Sequence, residues 1–355
     1  MPSIEETSTL NKTQQQIFKS IMNIPRSKQE IASALGVSIK TVRNNLPKMG
    51  SLLENYNLIH YIGKNEEDLF SITPKKMWMP KIKDKVFTYS KGQTTPYMVV
   101  NLPDPPSGKE WVLYPFGDMH FGSNSCDYEK LDEQIDLIAS QDNAIVILMG
   151  DLIENSNKDS IAEGVYRQIF PPQEQQEKLI SKFAPIANKI ILNVLGNHGN
   201  RTVKSVYLDP ERNICNALEV ESFDGMTFVD IICQKHKWEV ALLHGTTGSA
   251  TVGGRINALM KKNVFHSADL YLMGHTHDEQ VFSDIELVRN PKLTRLDIKR
   301  RSYVLTGGFL KYFGAYPNKS GMSPLPLGVP TISLLCDGSR KPGSLKVTVD
   351  NMDYS

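Results

Sequence analysis

Five short runs of carboxylate, amide and imidazole side chains punctuate the middle of this 355-residue chain: Gly117-Asp118-Met119-His120, Gly150-Asp151, Gly196-Asn197-His198, His244-Gly245 and Gly274-His275-Thr276-His277. Five of the chain's eight histidines fall inside them, which chance scatter does not produce. Alternate residues of an extended chain point to the same side, so Asp118 with His120, and His275 with His277, can turn toward one shared point. Two aspartates, one asparagine and four histidines exceed the needs of one ion. They suit a pair of divalent cations with mixed oxygen and nitrogen ligands, manganese foremost, with iron or zinc as alternatives. No cysteine belongs to the set, which argues against a thiolate zinc knot. Paired ions roughly 3.5–4 Å apart clamp the attacking and leaving oxygens of a phosphoryl centre and bring a bound water's pKa down to about 7. Two cations against two aspartates leave a net positive site, which attracts phosphate.

The elements that must position these side chains are apolar segments directly before each run: Trp111–Phe116, Ala144–Met149, Ile190–Leu195, Val240–Leu243 and Leu270–Met273. All five read as strands. Their tips are expected to meet along one edge of a sheet, where open α/β sheets place their ligands. Taken singly, a Gly-Asp after a strand is usually a turn and a His-Gly pair means almost nothing. The ordered set of five favours a metal site over satisfied packing. His60, His236 and His266 stand outside it and are expected to be surface or packing residues.

From Trp111 to Phe309 the ordered runs resemble the motifs of the calcineurin-like metallophosphoesterases. The resemblance implies an α/β fold (an α+β, four-layer arrangement), a β-sandwich flanked by helices. It also implies that Asp118, His120, Asp151 and His277 surround one metal and Asp151, Asn197, His244 and His275 the other, with Asp151 as bridge. His198 would be the general acid that protonates the leaving oxygen. The chain departs from the family's pattern twice. Gly199, Asn200 and Arg201 follow Gly-Asn-His where an Asp or Glu often stands, and Leu152-Ile153-Glu154-Asn155 follow Gly-Asp without the Arg-Gly of the serine/threonine protein phosphatases. The Asp118-Met119-His120-Phe121-Gly122 start is similar to the repair nucleases of the superfamily and to the small proofreading subunit of archaeal D-family polymerase.

The front of the chain reads as a separate module, residues 1–73. A first helix fits Lys12–Met22. A second runs from Ser27, an N-cap partnered by Glu30, to a stop at Gly36, and Ser38 caps a third holding Val42 and Leu46. After Pro47 the helical pattern weakens, and Leu58–Ile62 and Leu69–Ile72 flank a turn as two short strands. This stretch is similar to a winged helix-turn-helix of the DNA-binding kind. That likeness implies an exposed face of Lys40, Thr41, Arg43, Asn44 and Asn45, with Arg43 and Asn44 able to read base edges and Lys48 nearer phosphate. A helical module for docking protein is the alternative. Residues 74–108, rich in Pro and Lys, read as an extended connection whose lysines could track phosphate, and 109–355 as the metallophosphoesterase domain.

Within that domain Asn155–Ala187 reads as a polar, helical insertion including Glu174–Phe183. Arg167, Arg201 and Arg255 are candidate phosphate contacts, the last in a glycine-rich loop from Gly245. Tyr303–Thr306, Thr331–Leu335 and Leu345–Val349 read as strands closing the second half of a sandwich. No apolar run reaches the roughly 18 residues of a membrane span, and the polar, acidic start does not read as a signal peptide. Four scattered cysteines without a CxxC pair suit buried, reduced thiols. Together these features imply a cytoplasmic protein, of bacterial or phage origin by its domain pairing, in which an oligomer is possible. Residues 1–91 hold 14 Lys and Arg against 8 Asp and Glu, while the remainder is acidic. The basic front suggests an anionic partner. The expected function is a two-metal phosphodiesterase directed at DNA, a nuclease. A phosphomonoesterase acting on a protein, nucleotide or small metabolite is one alternative, and a DNA-binding regulator whose phosphoesterase region only binds a ligand is another.

Overall fold

The computed structural model describes residues 10–21, 26–52, 56–62, 68–74, 83–84, 87–89, 93–95, 97–106, 108–157, 160, 168–264, 266–289, 294–312, 324–336 and 345–348. They belong to two compact units, 1–79 and 80–355.

In the first unit, α1 (Lys12–Ile21) buries Ile17, Phe18 and Ile21. After β1 (Arg26–Ser27) comes α2 (Lys28–Leu35), which opens on a reciprocal cap: the Glu30 amide donates to Ser27 Oγ at 3.2 Å, and the Ser27 amide donates to Glu30 Oε2 at 2.7 Å. Gly36 ends the helix at φ 64°, as its lack of a Cβ allows. Then α3 (Ile39–Leu52) starts beneath Ser38, whose Oγ accepts from the Thr41 amide. This helix continues through Pro47, where the sequence pattern weakened. Proline gives up one main-chain bond, but Leu46 and Met49 remain buried with Val42, Ile31 and Ala32, and that packing carries the helix onward. The hairpin β2 (Tyr56–Ile62) and β3 (Asp68–Pro74) pairs with β1 in the order β1-β3-β2.

The second unit begins with β4 (Lys83–Asp84), the small hairpin β5 (Phe87–Tyr89) and β6 (Gln93–Thr95), and β7 (Tyr97–Leu102). Sequence composition had placed β7 in an extended connection. Its alternation, with Met98, Val100 and Leu102 buried, makes it a sheet strand beside β12 instead. The succession that follows is β8 (Glu110–Phe116), α4 (Tyr128–Ser140), β9 (Ala144–Leu148), α5 (Pro172–Phe183), β10 (Ile190–Val194), α6 (Asn200–Val206), α7 (Pro210–Ala217), β11 (Glu221–Phe223), β12 (Thr227–Cys233), β13 (His236–Leu243), α8 (Val252–Met260), β14 (Leu270–Met273), β15 (Glu279–Arg289), β16 (Leu296–Thr306), β17 (Thr331–Leu335) and β18 (Leu345–Thr348).

These strands form two mixed sheets, in the orders β11-β10-β9-β8-β17-β18 and β15-β16-β14-β13-β12-β7-β4. In the first sheet β8 to β11 run parallel, and the near-continuous apolar sequences of β9 and β10 bury every residue, as strands covered on both faces do. One face lies under Leu131, Ile135 and Ile138 of α4, Leu179 and Phe183 of α5, and Ile214 of α7. In the second sheet Ala241, Tyr271 and Tyr303 lie under Leu259 of α8. The opposite faces, with Leu113, Ile145 and Ile147 in one sheet and Leu242, Leu272 and Val304 in the other, are buried to 0% exposure. A mixed α/β fold of two sheets flanked by helices results. The last two strands, β17 and β18, extend the first sheet beside β8 and do not join β16 in the second. No helix among the described residues is long and apolar enough to cross a membrane.

Candidate metal centre

The five runs stand at the C-terminal ends of strands from both sheets, not along the edge of one: β8, β9 and β10 from the first, β13 and β14 from the second. Each chain segment turns sharply as it leaves its strand. Asp118, His120, Asp151, His275 and His277 take φ values of 48°, 45°, 48°, 65° and 53°, a left-handed conformation that costs of order 1–3 kcal/mol per residue unless its surroundings enforce it. Main-chain contacts enforce it here. The Asp118 amide donates to the Gly150 carbonyl, and the His120 amide to the Asp151 carbonyl. A Cβ on Gly196 would stand 2.1 Å from the Asp151 nitrogen, so only glycine lets these two loops touch.

The side chains form two ligand groups linked by a third, His120, Asp151 and His198. Asp118, His120 and His277 bring one ligand atom each within 4.8 Å of one another, and so do Asp151, His244 and His275. Asn197 joins the second group, its Oδ1 standing 3.0 Å from both His244 Nε2 and His275 Nδ1. Asp151 Oδ2 lies 3.1 Å from His244 Nε2 and 4.0 Å from His120 Nε2, so one oxygen faces both groups. All seven ligand residues read from the sequence are therefore brought together. Their chemistry fits cations. His120 and His277 aim Nε2 atoms at each other across 3.2 Å, and Asp118 Oδ1 is buried with no hydrogen-bond partner among the described residues.

The electrostatics of the bare cluster are strongly perturbed. Burial, reinforced by Asp151 and eased by His244, pushes Asp118 up to about 7. For Asp151 burial is outweighed by His244 and His198, which hold it well below the usual carboxylate range. Burial opposes a charge on His244 as well, but contact with Asp151 raises it to about 10.

His198 is oriented from two sides. Its Nδ1 donates to the Glu154 carbonyl at 2.8 Å, which leaves Nε2 as the acceptor for Arg201 Nη2 at 3.0 Å. Burial, with His120 and Arg201 nearby, pushes its pKa down to about 4. Arg201 also donates to the Glu154 carbonyl and to Ser156 Oγ. Arg255 is placed differently. Its guanidinium is 8% exposed and turned inward, donating to Asp278 and to the carbonyls of Ser249 and Ala250, so it braces the glycine-rich loop and is not presented to a phosphate. Arg167 lies outside the described residues.

Sequence reasoning missed three groups around the site. Glu154 holds His120 Nδ1 at 3.3 Å, and burial of its carboxyl is outweighed by His120, which brings it down to about 2. Its position three residues after Asp151 was the available signal. Asp278 follows the last motif directly. Glu211, on α7, carries no motif signal at all. Of the remaining histidines, His236 is fully buried and stacked on Trp238, and His266 is exposed. The side chain of His60, on β2, lies outside the described residues. All four cysteines are buried and free.

In the first unit, Lys40, Thr41, Arg43, Asn44 and Asn45 all lie on α3. Lys40, Arg43 and Asn44 are exposed, whereas Thr41 and Asn45 are half-buried, with Asn45 Nδ2 donating to the Thr41 carbonyl.

Residues 115–279 match the calcineurin-like phosphoesterase family. The match covers all seven converging side chains and His198. No curated protein matches the chain in sequence. Similar solved structures include Vacuolar Protein Sorting 29 of Cryptosporidium parvum, 14% identical over 68% of this chain and 96% of that one, with a TM-score of 0.33. A metallophosphoesterase of Sphaerobacter thermophilus is 12% identical over 69% and 89%, with a TM-score of 0.34. Vps29 of Entamoeba histolytica complexed with zinc is 13% identical over 66% and 96%, with a TM-score of 0.28. Likenesses this distant leave function to be read from the site itself.

Proposed function

We propose that this chain is a metal-dependent phosphodiesterase, a nuclease that acts on DNA with a pair of divalent ions, manganese foremost. The observation that carries this reading is the convergence of seven nitrogen and oxygen donors into two groups that share Asp151 Oδ2. Asp118, His120, Asp151 and His277 would hold one ion, and Asp151, Asn197, His244 and His275 the other. When bound, such a pair would supply charge neutralisation at a phosphoryl centre and lower the pKa of a bound water.

The chain's own residues do the rest. Arg201 would be a phosphate contact, its side chain partly exposed although it is also paired with Glu154 Oε1 at 3.3 Å. An arginine–phosphate pair is stronger than an arginine bond to a neutral imidazole. An arginine drawn to substrate would leave His198 Nε2 free, and that nitrogen, unprotonated with its pKa at about 4, would first take up a proton from solvent before giving it to the leaving oxygen. Glu154 keeps the ring oriented through its carbonyl. The unit that precedes the site supports delivery to DNA. Its three helices, its β2–β3 hairpin and the exposed Lys40, Arg43 and Asn44 on α3 suit a winged helix-turn-helix with α3 in the major groove.

The test is hydrolysis by manganese-loaded protein of labelled single- and double-stranded DNA beside a panel of phosphate monoesters. DNA cleavage that is lost in D151N is the expected result. Cleavage of monoesters alone would end the nuclease reading, and a cellular role that survives D151N would make binding, not turnover, the function.

A further inference from the structure

Helix α7 opens beneath Asp209, whose Oδ1 accepts from the amides of Glu211 and Arg212. Its second residue, Glu211, is 1% exposed. Both oxygens of that carboxylate are taken up by donors from the site's loops. Oε1 accepts from the Leu152 amide at 3.1 Å, and Oε2 accepts from the Gly196 amide at 3.0 Å and from Asn193 Nδ2 at 3.4 Å. Leu152 follows Asp151, and Gly196 precedes Asn197. One side chain thus ties the main chain beside the shared aspartate to the main chain beside the asparagine of the second group.

Burying a carboxylate is expensive, and burial near Asp151 pushes Glu211 up to about 7. An apolar residue would fill the space without that cost. A group with two acceptor oxygens satisfies both main-chain amides, which belong to the loops after different strands. The same two loops also meet where Asp151 Oδ1 accepts from the His198 amide at 2.8 Å. The carboxylate lies behind that contact, on the side of α7.

Resting on the metal-dependent reading above, we infer that Glu211 is a positioning residue that sets the spacing of the Asp151 and Asn197 loops and thereby the affinity of the centre for its ions. It touches neither substrate nor ion. In E211Q the amide keeps the shape but offers one acceptor and one donor, so one of the two loops loses its tie and meets an opposing N–H.

The experiment measures Mn2+ binding by titration calorimetry on chelator-stripped wild type, on E211Q and on I214V, a packing change on the same helix. The outer partners of metal ligands typically contribute 10- to 100-fold in affinity. E211Q is expected to bind Mn2+ that much more weakly while its circular dichroism is retained. Saturating Mn2+ should restore its turnover, and I214V should bind as wild type does. Wild-type affinity in E211Q, or an equal loss in I214V, overturns the inference. Should E211Q not fold, amide hydrogen exchange in the wild type decides: slow exchange at both Leu152 and Gly196 supports the tie, and free exchange at either refutes it. Wild type that binds no Mn2+ would bring down the metal-dependent reading, and the exchange rates would still report on the tie itself.

Discussion

At the residue scale the centre is a competition between protons and cations for the same lone pairs. His244 is held near 10 by Asp151 in the bare protein, so it is protonated at neutral pH, and an ion that binds its Nε2 must displace that proton. Asp118, near 7, adds a second proton in the acid range. The sign follows directly: affinity rises with pH. Apparent Mn2+ affinity is expected to increase about tenfold per unit above pH 7 and more steeply, toward about a hundredfold per unit, below it, with proton release visible as a buffer-dependent heat. A pH-independent affinity without proton release would contradict this assignment. The seven converging side chains were legible in sequence because each run carries a glycine and follows an apolar strand. Glu211 was not, because its partners come from other loops and no local spacing records that, whereas Glu154 and Asp278 stand beside the motifs but act on His120 and Arg255 from other elements. Arg255 looked available because its glycine-rich surroundings suggested an open loop. Its partner, Asp278, comes from the far side of β14.

At the scale of elements, local rules worked where an element is capped by its own residues. The box formed by Ser27 and Glu30 fixes the start of α2, and both bonds are present. Ser27→Ala is expected to cost about 1 kcal/mol. Faster amide exchange along α2, with no change at α4, is the measurement that checks it. Strands buried on both faces were equally legible as apolar runs. What sequence reading lost was β7, hidden in a stretch whose prolines and lysines suggested a connection, and the whole length of β15, which carries exposed Ile285 and Leu287 beside charged neighbours. It also placed all five strand tips along one sheet edge, because a run of apolar strands does not state which sheet receives each. The pairing of β17 with β8 is set by contacts far apart in sequence.

At the scale of the molecule the front unit, 1–79, holds 10 Lys and Arg against 7 Asp and Glu, while 80–355 holds 30 against 32. An acidic catalytic unit gains little attraction for a polyanion from its net charge, so the proposed DNA affinity belongs to the front. Protein lacking residues 1–79 is expected to hydrolyse a small synthetic phosphodiester within about twofold of the full chain, since domains fold and act as units. Its affinity for duplex DNA should fall and lose most of its salt dependence. Anisotropy titrations at several salt concentrations make the comparison. Undiminished DNA affinity in the truncated protein would place the binding surface elsewhere.

The left-handed turns at five of the seven donors have a practical corollary. Asparagine occupies that backbone region almost as readily as aspartate does, so Asp118 and Asp151 can each lose their charge without the main chain being asked to move. An undistorted but silent enzyme is thus one atom away at either position. Such a decoy offers a way to hold an intact oligonucleotide in place long enough to see where it lies.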